Sequence, residues 1–192
     1  MKWVRLFEEF DTDIRNLTSL LRRYSVPIDN WGTGKSKTIQ HLQDELDEKE
    51  CYLSEENNNL IRYIEFVGIK IYFRDEEENL WTLKEDRQEF KDGRVRRRDM
   101  PNSVSEKMKA GEDAVLSAVR GIKEELGIDI EESQLIKRRD LDYNGGSISY
   151  PGLITKYKGH KFICYLEPHQ FDVNGYIEVQ KDKSTYFVWK KI

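Results

Sequence analysis

Between residues 113 and 128 the apolar positions repeat with the period of a helix. At about 100° per residue, Val115, Ala118, Val119, Ile122 and Leu126 fall in one stripe that faces a core, and Arg120, Glu124 and Glu125 fall off it. Asp113 is placed to cap the N-terminus and Gly127 to end the helix. Upstream, Val4, Phe7, Phe10, Ile14, Leu17, Leu20 and Leu21 predict an amphipathic helix over residues 3 to about 23, broken by Pro27, Asn30, Gly32 and Gly34. Ile39, Leu42 and Leu46 predict a second, over about 36–50. The stretch Asp44–Glu56 holds seven acids and one lysine and reads as a solvated face and loop. Residues 1–58 thus read as a helical N-terminal extension.

The period then changes. Residues 60–73 are dense in β-branched and aromatic side chains and predict a strand, and 79–90 predict a second. Residues 91–112 read as a long polar connection into the helix. Short strands are expected around 135–141, 152–157, 161–166 and 176–189, separated by turns such as Asn144-Gly145-Gly146 and Asn174-Gly175. Residues 59–192 therefore read as a single α/β domain.

Composition narrows the class. A chain of 192 residues supports one ordinary core, with or without a small appendage. A net charge of −4 argues against an extended nucleic-acid surface while leaving room for a local basic patch. Two cysteines, Cys51 and Cys164, make no disulfide framework and suit reduced thiols in a cytoplasmic protein. The first residues lack the apolar run of a secretory signal, and no stretch approaches the ~18 apolar residues of a membrane span.

The central helix carries the chemistry. Paired carboxylates on a helix, Glu124 and Glu125, are a plausible seat for a divalent cation that clamps a pyrophosphate, and Arg120 can pair with Glu124 one turn away. Residues 112–128 resemble the Nudix box, in which a glycine, five residues, a glutamate and seven residues precede Arg-Glu-U-x-Glu-Glu-x-Gly-U, U being a bulky aliphatic. Glu112, Arg120, Ile122, Glu124, Glu125, Gly127 and Ile128 fit in register. Two positions depart: the first glycine is Glu106, and the glutamate after the arginine is Gly121. Val104-Ser105-Glu106 also stands where the family usually has Pro-Gly-Gly, which implies a different loop geometry.

The resemblance implies a Nudix-like α/β/α sandwich with a mixed β-sheet over roughly residues 60–192, with the helical extension outside it. It implies a pyrophosphohydrolase that uses Mg²⁺ or Mn²⁺, with Glu124 and Glu125 as metal ligands and Arg120 orienting a glutamate. Glu112 would sit near the metal or brace the loop. Residue 121 is one of the family's usual metal ligands, so Gly121 implies fewer metals or a ligand from elsewhere, Glu112 or Glu178 being candidates. Gly121 also costs the helix roughly 1 kcal/mol relative to Ala. Either a substrate or neighbouring loop fills the space of a side chain there, or the residue drifted after a ligand was lost.

Other candidate residues lie outside the box. Arg94, Arg96, Arg97 and Arg98 crowd the segment before the helix, and guanidinium groups suit phosphate oxygens; Arg94, Arg96 and Arg98 are the candidate substrate contacts. Residues 31–38 look like a P-loop but have Asp29 where its first glycine belongs and no strand before it, so they read as a glycine turn into the second helix. His41, His160 and His169 lack metal-ligand spacing. Glu178 is a candidate general base. Two functions follow: hydrolysis of a diphosphate bond in a nucleoside diphosphate linked to another moiety, or a catalytically impaired module that binds a nucleotide or nucleotide sugar as a sensor or interaction domain. A homodimer is compatible with either.

Overall fold

The computed structural model describes residues 14–192. In chain order the elements are α1 (Ile14–Arg23), α2 (Ile39–Asp47), β1 (Tyr52–Glu56), β2 (Asn59–Arg74), β3 (Leu80–Phe90), β4 (Val95–Arg96), β5 (Val104–Lys107), α3 (Ala114–Leu126), β6 (Leu135–Lys137), β7 (Leu141–Gly146), β8 (Ile154–Tyr165), β9 (Tyr176–Val179) and β10 (Lys183–Lys191). The α/β class expected from the sequence is the class observed. None of the described helices is long and apolar enough to cross a membrane. The part of the first predicted helix that precedes Ile14 lies outside the described residues.

The chain forms two compact units. The first takes the described residues up to Glu65, with Lys107–Gly111 and Leu141–Lys158. Leu17 and Leu21 of α1, Leu42 of α2, Trp31, Leu53, Leu60 and Tyr150 are buried in its core. Thr38 caps α2, its hydroxyl accepting from the His41 amide, and the glycines at 32 and 34, both at positive φ, form the turn before it. This is the glycine turn expected in place of a P-loop.

The acidic stretch 44–56, which begins within α2, departs from expectation. Tyr52–Glu56 is a strand, paired antiparallel to β2 from Tyr52↔Tyr63 to Glu56↔Asn59. Asn57 and Asn58, both at positive φ, close the hairpin, a conformation asparagine tolerates. Glu45 is buried rather than solvated, because Arg62 pairs with it and Lys37 and Lys107 reach its other oxygen at 2.7 and 3.0 Å. Lys37 precedes α2 and Arg62 lies on β2, while Lys107 lies far along the chain, so the composition of the acidic stretch itself does not reveal them.

The second unit comprises Phe66–Glu106, Glu112–Asp140 and Gly159–Ile192. Its strands run in the order β6-β8-β2-β3-β10-β9, and β10 pairs antiparallel with both β3 and β9. Val67, Ile69, Ile71, Leu83, Phe162 and Phe187 are buried in it. Two strands foreseen around 152–166 are one, β8, since Gly159 sits against the Phe66 ring without interrupting the strand. The single strand foreseen over 176–189 is the hairpin β9–β10. The polar connection 91–112 contains β4 and β5, and β5 is the element that matters for the site.

Candidate active site

Helix α3 is set by its ends. The Asp113 carboxylate accepts from the amides of Val115 and Leu116 at 2.8 and 3.3 Å. Gly127, at φ +71°, lets its amide reach the Lys123 carbonyl in a left-handed cap that a side chain would strain. Between these stops Ala118, Ile122 and Leu126 are buried, as the apolar stripe predicts, while Val115 and Val119 are half-buried. Ser117 and Gly121 are buried as well.

The burial of Gly121 has a definite cause. A Cβ added there would lie 2.8 Å from the Cβ of Glu106 and 3.3 Å from its Cγ, with Val104 Cγ1 at 3.6 Å. Val104 and Glu106 alternate along β5 and so face the same way. A neighbouring strand, rather than the substrate or loop foreseen from the sequence, fills the space of the missing side chain.

Arg120 lies at the centre of the charges on α3. Its Nε and Nη2 donate to the two oxygens of Glu112 at 2.9 and 3.0 Å, a fork-to-carboxylate pair. Its Nη1 donates to Glu106 at 3.0 Å and to Glu124, one helical turn on, at 3.1 Å. Hydrogen bonding to Glu112 outweighs partial burial and, with Glu106, holds the guanidinium protonated well above its ordinary range. One arginine thus fixes three carboxylates from three positions along the chain.

Beside it lies a polar cavity of about 330 Å³ whose walls include Glu85, Arg98, Glu106, Glu124, Glu125 and Glu178. Burial first, and then the charges of Glu178 and Glu106, push the Glu125 carboxyl up to about 8, against a 3.3 Å hydrogen bond from the Ser105 amide. A carboxyl raised by burial and like charges is one that a cation would return to its ionised form. The available donors are carboxylate oxygens, the hard ligands that Mg²⁺ and Mn²⁺ take. Among the described residues no three His, Cys, Asp or Glu side chains converge closely enough to enclose an ion by themselves.

The structure distributes the residues singled out from the sequence unequally. Glu124, Glu125 and Arg98 line the cavity, as does Glu178 on β9. Glu112 braces Arg120. Arg98 is held by Glu85, its Nε donating at 2.8 Å. Arg94 turns to Asp92 at 2.7 Å and lies over the Phe90 ring, and Arg96 is an exposed residue of β4 opposite Gln88. Arg97 pairs with Asp86 at 2.6 Å. Two cavity residues, Glu85 and Glu106, escaped the sequence reading. Glu106 stands where the box has glycine, so matching to the pattern registers it as a defect.

No family model and no curated protein matches the chain. It is similar in fold to solved structures that include an Ap4A hydrolase from C. elegans, at 14% identity over 67% of this chain and 80% of that one, with a TM-score of 0.38. A MutT/nudix family protein from Enterococcus faecalis aligns at 14% identity over 79% of this chain and 50% of its own, TM-score 0.45. A Nudix hydrolase from M. smegmatis aligns at 12% identity over 73% and 79%, TM-score 0.35.

Proposed function

We propose that residues 59–192 are a Nudix-like domain that hydrolyses a diphosphate bond in a nucleoside diphosphate linked to another moiety, with Mg²⁺ or Mn²⁺ as cofactor. The observation that carries this reading is the meeting of the Arg120 clamp with the cavity at Glu125. A retained fold alone has no need of an arginine that orders three carboxylates beside a fourth raised to about 8.

Each residue then has a task. Glu124 and Glu125 hold the metal, which when bound would neutralise phosphate oxygens and lower the pKa of the attacking water. Arg120, fixed by Glu112, keeps the Glu124 carboxylate in place. Arg98 meets a phosphate at the cavity wall, and Arg94 and Arg96 extend that contact on the exposed segment that precedes it. Glu178 faces the same cavity from β9 and can accept a proton there.

The competing reading, a module that binds a nucleotide or nucleotide sugar without cleaving it, is favoured by one observation, the absence of a carboxylate at residue 121. A panel of nucleoside diphosphate derivatives, assayed with Mg²⁺ for phosphate and nucleotide release, separates the two. The hydrolase reading expects turnover in the wild type and its loss in Glu124→Gln/Glu125→Gln. Thermal stabilisation by a nucleotide, with no turnover of any compound, would establish the binding module instead.

A further inference from the structure

We propose that Glu106 and Gly121 are a reciprocal exchange, in which Glu106 delivers from β5 the carboxylate that the box pattern places at residue 121 on the helix. The inference rests on the metal-dependent reading above and deepens it.

The chain departs from the box at two positions, and they mirror each other: glutamate stands where glycine is expected, at 106, and glycine where glutamate is expected, at 121. The fold brings these two residues into contact although 14 positions separate Glu106 from Arg120, the neighbour of Gly121. The contact is exclusive. With the Cβ and Cγ of Glu106 at 2.8 and 3.3 Å from where a Cβ at 121 would sit, a side chain on the helix and this one on the strand cannot occupy the same place. Each substitution therefore makes room for the other.

The carboxylate also ends in the right company. Glu106 accepts from Arg120 Nη1, the nitrogen that holds Glu124, and lines the cavity shared with Glu124 and Glu125. A glutamate facing solvent from β5 would meet the pattern's loss of glycine equally well, yet would make neither contact. The number of carboxylates at the site is thus preserved while one changes its point of attachment. Gly121 is then a companion of Glu106, and does not mark a dead site.

The test is a titration of the full chain with Mn²⁺, followed by the electron paramagnetic resonance of the free ion, which needs no substrate and no turnover. Glu106→Gln keeps the shape and an oxygen for Arg120. It should weaken Mn²⁺ binding by about 10–100-fold, the range seen when groups that tune a metal site are removed. The exchange variant Glu106→Gly/Gly121→Glu, which writes the standard box, should bind close to wild type, with an unchanged circular dichroism spectrum. Wild-type binding by Glu106→Gln, together with loss in Glu125→Gln, would overturn the exchange and leave the metal site standing. Loss of binding in a folded exchange variant would overturn it too. A wild type that binds no Mn²⁺ would overturn the metal-dependent reading itself, and the exchange with it.

Discussion

Arg120 grips Glu112 with two nitrogens on two oxygens, at 2.9 and 3.0 Å, so the direction of its guanidinium is set before any substrate arrives. Lysine at this place keeps the charge and loses the fork. Arg120→Lys should lower the turnover of the best substrate by about 10–100-fold, as losses of supporting groups at metal sites do. Its far-UV circular dichroism should be unchanged. Wild-type kinetics in this variant would remove Arg120 from the machinery.

The steric pairing of Gly121 with Glu106 makes a prediction of sign. In an open helix, Gly→Ala stabilises by about 1 kcal/mol. Here the added methyl would meet Glu106 Cβ at 2.8 Å, and forced overpacking costs about 1–3 kcal/mol. Gly121→Ala should therefore lower the urea midpoint in the wild-type background and raise it in a Glu106→Gly background. The same sign in both would show that the two positions do not interfere.

Acid should loosen the first unit through Glu45. Burial alone would raise its carboxyl, but Arg62, Lys107 and Lys37 overcome burial and hold it down at about 2, below the ordinary 4.5. A depressed folded value means that the stabilisation is complete above 4.5 and is lost as pH falls from there through about 2. The amount is on the order of 3 kcal/mol. Glu45→Gln, which leaves the buried Arg62 without its charged partner, should cost about 3–5 kcal/mol at neutral pH. Thermal melts between pH 2 and 6 check both: the loss below 4.5 should be steeper in the wild type than in the variant.

Gly175 closes the approach to β9, the strand that carries Glu178. It has φ +79°, and a Cβ would fall 1.9 Å from the Phe187 carbonyl oxygen. Strain at such a backbone and overpacking cost about 1–3 kcal/mol each. Gly175→Ala should therefore lower the midpoint of urea unfolding far more than Gly145→Ala, where a Cβ meets nothing within 4 Å. Equal midpoints for the two variants would contradict this.

What could be read in the sequence followed from the range of the forces involved. Helix α3 was legible to the residue because its stripe, its Asp113 cap and its Gly127 stop are all local. The turn at Asn174-Gly175 was legible for the same reason. β5 was not, since Val104-Ser-Glu-Lys has one buried apolar residue and is held by partners distant in sequence, as when the Ser103 amide bonds the Ile69 carbonyl next to it. β1 hid among acids whose counter-charges come from elsewhere in the chain, Glu50 meeting Lys107 and Glu56 meeting Lys156. At the site, Glu124, Glu125, Arg120 and Glu112 stood out through spacing, whereas Glu106 becomes visible only when its contact with Gly121 is known.

In the proposed function Glu125 serves a metal-dependent cleavage. Its most direct test is the Mg²⁺ dependence of diphosphate hydrolysis by the wild type and by Glu125→Gln, each with the substrate that the wild type turns over fastest. The wild-type rate should saturate with Mg²⁺ and vanish with a chelator, and the variant's rate should be reduced at every Mg²⁺ concentration. A wild-type rate indifferent to the chelator, or equal rates in the two proteins, would contradict it.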